Sequence, residues 1–414
     1  MSVTSSPPSP TAGPGPARRV VVWVLLVMAL ALLAWLLVTR GPALFSANDF
    51  VQYWSASRLN RGGGNPYDAN QLLVLQRSVG WDEELALMMW NPPWAIPLVT
   101  PFGWLPYDLA HTVWVLASLV AVIVAAYLSW DIYKPQSRRH AVALVLAFLF
   151  LPTLGAINLR QISPWILLGV VGFLWAGQRG RWALAGASAV LISIKPQLLY
   201  LFWPVLLLWC IQVRRWRPLA ACAATALPLL AIAMLSNPQV LAQYIHTSIH
   251  EPPLYWKSSA LGTILRLVWG QERHWLQFAP SIAGLCWVVW YWVRHRADWS
   301  WPEQLPLLLL VSVATASYGW THDMVVLVPV LAQVAIWVRE SQSRVLGTIA
   351  ISLFAAINVG ALVVMAVGGG SWHELWWMPW AMLVCYLVLR ETTGDRLPKP
   401  PTALDTQGNQ DGMS

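Results

Sequence analysis

The feature that most limits what this chain can fold into is the recurrence of long apolar runs along almost its whole length. Of its 414 residues, 57% are hydrophobic and only 11% are charged. A water-soluble domain carries about 25% charged residues, because its surface has to face water. Charge this sparse cannot cover such a surface, so part of the solvent must be lipid. Runs at roughly 20–38, 107–130, 141–157, 163–177, 182–194, 197–213, 218–235, 275–293, 304–318, 323–338, 345–367 and 374–390 predict about twelve transmembrane helices. A helix needs about 20 residues to cross the hydrocarbon layer, and the third to fifth runs are short for that. Backbone groups in lipid have to be satisfied within their own segment or in a closed barrel, so the expected class is an all-α polytopic membrane protein.

Basic residues punctuate the runs. If Arg18 and Arg19 are cytoplasmic, alternate connections place Lys134, Arg138, Arg139, Arg179, Arg181, Arg214, Arg215, Arg217, Arg294, Arg296, Arg339, Arg344, Arg390, Arg396 and Lys399 on the same side. That is the asymmetry of the positive-inside rule, and it favours twelve spans over eleven or thirteen, with both termini cytoplasmic. The net charge of +8 forms no patch or stripe, which argues against nucleic acid as a partner. Residues 1–17, rich in Ser, Pro and Gly, read as a disordered cytoplasmic tail; 18–392 is the membrane domain and 393–414 a second cytoplasmic tail. The first run ends in Thr39, Arg40, Gly41 and Pro42, not in a small-residue cleavage site, and reads as a retained span. Two outer connections are long, 39–106 and 236–274, and their Trp and Tyr residues predict short interfacial helices. Cys210, Cys222, Cys286 and Cys385 each lie in an apolar run without C-x-x-C pairing and read as small buried hydrophobes.

This topology puts several ionisable residues on one membrane face. Asp49 follows the first span, Arg160 and Gln161 lie between the third and fourth, Lys195 between the fifth and sixth, and His322 and Asp323 between the ninth and tenth. Each has a local alternative. Asp49 or Asp323 could cap a helix, Lys195 could snorkel to the headgroups, and Arg160 could pair with Asp49 or bind lipid phosphate. Together they suit glycosyl transfer: a carboxylate takes a proton from an acceptor hydroxyl, and cations stabilise a departing phosphate. Asp49 is the candidate base. Arg160, Gln161, Lys195 and His322 are candidates for the donor phosphate, with Tyr53, Tyr67, Asp323 and Lys257 in support. Gly62, Gly63 and Gly64 lack the G-K-[ST] of a phosphate loop, and Asp82, Glu83 and Glu84 read as a solvated charge run. No metal-ligand pattern appears, so neither a metal nor another cofactor is implied.

Short motifs carry a family resemblance over roughly 45–335. Asp49, Phe50, Tyr53 and Trp54 form an Asp-Phe-x-x-Tyr-aromatic pattern, followed by Asn65-Pro66-Tyr67 and by Trp90-Asn91-Pro92-Pro93. Gln161, Lys195-Pro196 and His322-Asp323 continue the series. In these residues the chain resembles the bacterial polyprenol-phosphate-mannose-dependent α-1,2-mannosyltransferases, glycosyltransferase family 87 of the GT-C fold. The resemblance implies an inverting mannosyltransferase in the bacterial inner membrane, working on the extracytoplasmic side. It implies a polyprenyl-phosphate sugar as donor, a glycolipid or glycan hydroxyl as acceptor, and Asp49 as base. The family pattern often reads Gly-Gln-x-Asn where this chain has Arg160, Gln161, Ile162 and Ser163. The rival from another class is a transporter or flippase of a lipid-linked sugar, which predicts ionisable residues near mid-membrane and related halves. A polysaccharide polymerase or ligase is a second rival, usually with its large loop late in the chain.

Overall fold

The computed structural model describes residues 49–134, 139–253, 256–367 and 372–394. The predicted tail 1–17, the span 20–38 and the tail beyond 394 lie outside the described residues. No strand occurs among the described residues, and the class is all-α, as expected.

The first outer connection forms α1 (Phe50–Arg61), α2 (Ala69–Arg77) and α3 (Ile96–Gly103). The Asp68 side chain accepts the Gln71 N–H at 2.9 Å and so starts α2. Pro97 sits in the first turn of α3, where its missing N–H costs nothing. These helices were expected to lie on the membrane surface; α1 buries most of its side chains against the rest of the protein. Phe50, Tyr53 and Trp54 are buried, and the Phe50 ring packs 6.1 Å from Phe102 of α3.

The membrane part follows as α4 (Tyr107–Tyr133), α5 (His140–Leu149), α6 (Leu151–Asn158), α7 (Ser163–Gln178), α8 (Trp182–Ile192), α9 (Phe202–Gln212) and α10 (Arg217–Ser236). The second long connection carries α11 (Val240–His250) and α12 (Leu261–Trp269). Last come α13 (Ala279–His295), α14 (Trp301–Thr315), α15 (Val328–Glu340), α16 (Arg344–Val367) and α17 (Met378–Gly394). A 3₁₀ segment, Thr321–Leu327, leads into α15.

All eleven predicted runs that fall on described residues contain a helix, but length divides them. Among the described residues, four helical stretches are long and apolar enough to cross a membrane: 107–133, 217–236, 321–340 and 344–367. The α5–α6 pair makes a fifth if counted as one span bent by 68°. The bend has a local cause: Phe150 is extended, Pro152 follows, and the freed Leu151 N–H donates to Asn358 Oδ1 at 2.7 Å. Between α8 and α9 the chain runs through turns from Ser193 to Leu201, with Ile194, Leu198, Leu199 and Leu201 buried. Irregular backbone at such depth persists only where protein or a cavity surrounds it. This buried break carries Lys195 inward.

Small residues let the helices approach closely. A side chain at Gly169 of α7 would come within 2.6 Å of Leu191, and one at Gly186 of α8 within 2.0 Å of the Pro218 carbonyl. At one end of the helices, Arg179 pairs with Asp131 at 2.7 Å, Lys134 pairs with Glu340, and Gln212 Nε2 donates to the Arg296 carbonyl at 2.6 Å. Nearly all of these residues belong to connections or span ends that the charge asymmetry assigns to one face.

Candidate active site

Asp49 occupies the N-cap position of α1, yet its side chain makes no capping hydrogen bond. The carboxylate instead receives the Nε2 donor of Gln161. Gln161 joins three groups at once. Its Oε1 accepts from the Tyr53 hydroxyl at 3.2 Å and from Lys195 Nζ at 3.1 Å. Lys195 does not snorkel; its Nζ also donates to Asp323 Oδ1 at 2.7 Å. Ser163 Oγ donates to that same oxygen, while Asp323 Oδ2 accepts the Trp320 N–H at 3.1 Å. Asp323 thus caps its own helical segment and serves as the counter-ion of Lys195. His322 Nε2 lies 3.9 Å from Asp323 Oδ1, and both ring nitrogens of His322 are buried without a hydrogen-bond partner among the described residues.

Three braces hold this chain of contacts in place. Arg160 takes φ +55°, a left-handed turn after α6 that costs a branched or bulky residue strain. Glycine adopts this conformation without strain, which fits the Gly-Gln-x-Asn pattern that the chain resembles, and the turn swings Gln161 toward α1. The Trp114 indole of α4 donates to the Arg160 carbonyl at 2.9 Å, and its ring packs 5.5 Å from both Phe50 and Tyr53. One side chain therefore fixes the start of α1 and the Arg160 turn. The third brace runs from Tyr67, whose hydroxyl donates to the Asn91 carbonyl at 3.0 Å. Asn91 Nδ2 in turn donates to the Ile194 carbonyl at 3.0 Å, next to Lys195. Trp94 Nε1 adds a bond to Ser193 Oγ at 2.8 Å.

The structure therefore brings together Asp49, Tyr53, Gln161, Lys195 and Asp323, with Arg160 and His322 beside them. Tyr67 makes no direct contact with this group and acts through the Asn91 brace. Lys257 is exposed and has no hydrogen bond or ion pair with it among the described residues. Two residues on, Ser259 Oγ and Thr321 Oγ1 lie 2.9 Å apart, so the Lys257 segment lies against the His322 turn. Sequence reasoning missed Trp114, Ser163 and Trp320 as supports. Asn91 stood inside a quoted motif, but its partner lies 103 residues away.

Burial pushes the Asp49 carboxyl up to about 6, against the lowering effects of the Gln161 hydrogen bond and the Lys195 charge. Burial also lowers the Arg160 guanidinium to about 10, leaving it charged at neutral pH. A carboxylate titrating near 6 is ionised at pH 7 and still basic enough to share a proton. Among the described residues, no group of three His, Cys, Asp or Glu side chains is arranged to hold a metal ion.

A helical body of apolar spans with two carboxylates, Asp49 and Asp323, held beside cations defines a class, and comparison with known proteins supplies the family. The chain matches Glycosyltransferase family 87 over residues 90–299, half of its length. It belongs to that family. The match spans Arg160, Gln161 and Lys195, whereas Asp49 and His322–Asp323 lie beyond its ends. One relative, an alpha-(1->3)-arabinofuranosyltransferase of Mycolicibacterium smegmatis (strain ATCC 700084 / mc(2)155), is 28% identical over 59% of this chain and 59% of its own. Another of the same description, from Mycobacterium tuberculosis (strain CDC 1551 / Oshkosh), is 30% identical over 41% of this chain and 40% of its own. The chain thus spans less than two thirds of either relative. A crystal structure of ArnT from Cupriavidus metallidurans bound to undecaprenyl phosphate aligns over 90% of this chain and 78% of that one, with TM-score 0.43 and 15% identity.

Proposed function

We propose that this glycosyltransferase moves a sugar, with inversion, from a polyprenyl-phosphate donor to a hydroxyl of a glycan or glycolipid, with Asp49 as general base. The observation that carries the reading is that Asp49, although placed at a helix start, leaves the cap unmade and is held by Gln161 beside Lys195 and Arg160. The Asp49 carboxylate takes the proton of the acceptor hydroxyl. The freed oxygen pair attacks the anomeric carbon from the face opposite the phosphate. The bond from that carbon to the phosphate oxygen breaks, and its electron pair leaves with the polyprenyl phosphate. That step adds a negative charge to the leaving phosphate, which Lys195 and Arg160 stabilise. Lys195 has three N–H donors and spends two on Gln161 and Asp323, so one remains for phosphate.

A β-linked donor then gives an α-linked product. The motif resemblance favours mannose. The names of the two mycobacterial relatives favour arabinofuranose as the second donor to try. The site faces the extracytoplasmic side of a bacterial plasma membrane, with both termini cytoplasmic, as the segregation of basic clusters supports. The test uses protein in nanodiscs with radiolabelled polyprenyl-phosphate mannose and polyprenyl-phosphate arabinofuranose, each against mannoside and arabinoside acceptors. Transfer from one donor, with inverted anomeric configuration by NMR, is the expected result. Retained configuration, or no transfer from either donor, refutes the proposal.

A further inference from the structure

A cleft with a volume of about 760 Å³ opens between the two long outer connections, apart from Asp49 and its partners. It falls within the ~300–1,000 Å³ of small-ligand sites. Trp90 forms one wall together with apolar side chains such as Leu85 and Met88; His250, Glu251, Arg266, Gln271 and His274 form much of the other. The walls are tied together. Trp90 Nε1 donates to the Glu251 carbonyl at 3.1 Å, and Arg266 donates to the Gln271 carbonyl at 2.9 and 3.1 Å and to Gln277 Oε1 at 3.1 Å. Gly262 lies so close to the Gln277 carbonyl that a Cβ would sit 2.4 Å from it. The cleft is therefore a braced feature of the fold.

Its chemistry selects among ligands. Glu251 and Arg266 carry opposite charges, so neither an anion nor a cation is favoured over a neutral molecule. An aromatic ring beside exposed amide, imidazole and carboxylate groups suits a polyhydroxylated one: the ring covers a C–H face, and the polar groups exchange hydrogen bonds with hydroxyls. One wall of the cleft is tied to the turn that carries Lys195. Asn91, next to Trp90, donates to the Ile194 carbonyl beside Lys195. We propose that this cleft is the saccharide subsite of the acceptor, holding the sugar units that precede the one receiving the transferred residue. The identity of the ligand rests on the transfer reading above; the binding itself does not.

The probes are manno- and arabino-oligosaccharides of two to four units, bound to nanodisc protein carrying Asp49→Asn so that no turnover occurs, and followed by saturation-transfer NMR. Gln271 and His274 are exposed, so Gln271→Ala with His274→Ala leaves the fold intact. The pair weakens oligosaccharide binding by about tenfold or more, as expected for two lost side-chain hydrogen bonds. In active protein the same pair raises the acceptor KM and leaves the donor KM unchanged. Trp90→Phe, which keeps a ring, retains more binding than Trp90→Ala. Oligosaccharide binding that is sensitive to Gln271 and His274 supports the subsite even if neither lipid donor is turned over. Transfer with an unchanged acceptor KM in the double variant, or no binding of any oligosaccharide, overturns the subsite.

Discussion

Replacing Asp49 by Asn should make the protein more stable while removing its activity, and the gain should depend on pH in one direction only. The folded protein holds this carboxyl at about 6 against an ordinary 3.8, mainly because burial penalises the charged form. At about 1.4 kcal/mol per pH unit, keeping it ionised costs at most about 3 kcal/mol. Asp49 is partly exposed, so solvent screening reduces this to about 1–3 kcal/mol. A folded value above the unfolded one means stability is full below pH 3.8, declines toward pH 6 and is flat above it. Asn keeps an acceptor for Gln161 but has no proton to lose. The stability difference between Asp49→Asn and wild type should therefore be small near pH 4, widen up to about pH 6 and stay constant to pH 8. Thermal unfolding of both proteins in the same nanodiscs measures it. A difference that does not change with pH, or a variant less stable than wild type at pH 8, refutes the account of Asp49 as a carboxylate held against its own solvation. The same titration sets the acid limb of transfer: kcat/KM falls about tenfold per pH unit below about pH 6.

Two further substitutions separate structural from functional roles. Arg160→Gly relieves the left-handed strain at φ +55° by about 1 kcal/mol, raising the melting temperature, but removes the guanidinium and raises the donor KM. Lys195→Met strands the buried Asp323 carboxylate at a cost of about 3–5 kcal/mol. Adding Asp323→Asn restores most of that stability without restoring donor turnover; recovery of turnover in the double variant would show that Lys195 serves only the fold.

Much of the membrane architecture was legible because it rests on local chemistry. An apolar run has to become a helix in lipid, and clusters such as Arg179–Arg181 mark the ends of runs. The broken helices were harder to see. A connection at Lys195-Pro196 was legible, but its extent from Ser193 to Leu201 was not; what sustains a break of that length is the surrounding protein. The face on which Asp49, Gln161, Lys195 and Asp323 meet followed from topology, but their connectivity did not. The local alternatives of capping for Asp49 and snorkelling for Lys195 were plausible from neighbours alone, and partners 112 and 128 residues away displaced them. The left-handed backbone at Arg160, which a glycine would adopt without strain, could not be read from the sequence.

In the proposed mechanism Asp49 takes the proton of the acceptor hydroxyl. The most direct measurement is single-turnover transfer from the polyprenyl-phosphate sugar that wild type accepts, with wild type and Asp49→Asn compared at pH 8 in matched nanodiscs. Binding of donor is measured alongside. The account predicts that transfer falls by about a hundredfold or more, with donor affinity and folding retained. Transfer by Asp49→Asn within a few-fold of wild type would contradict it and move the role of base to another group in the cluster.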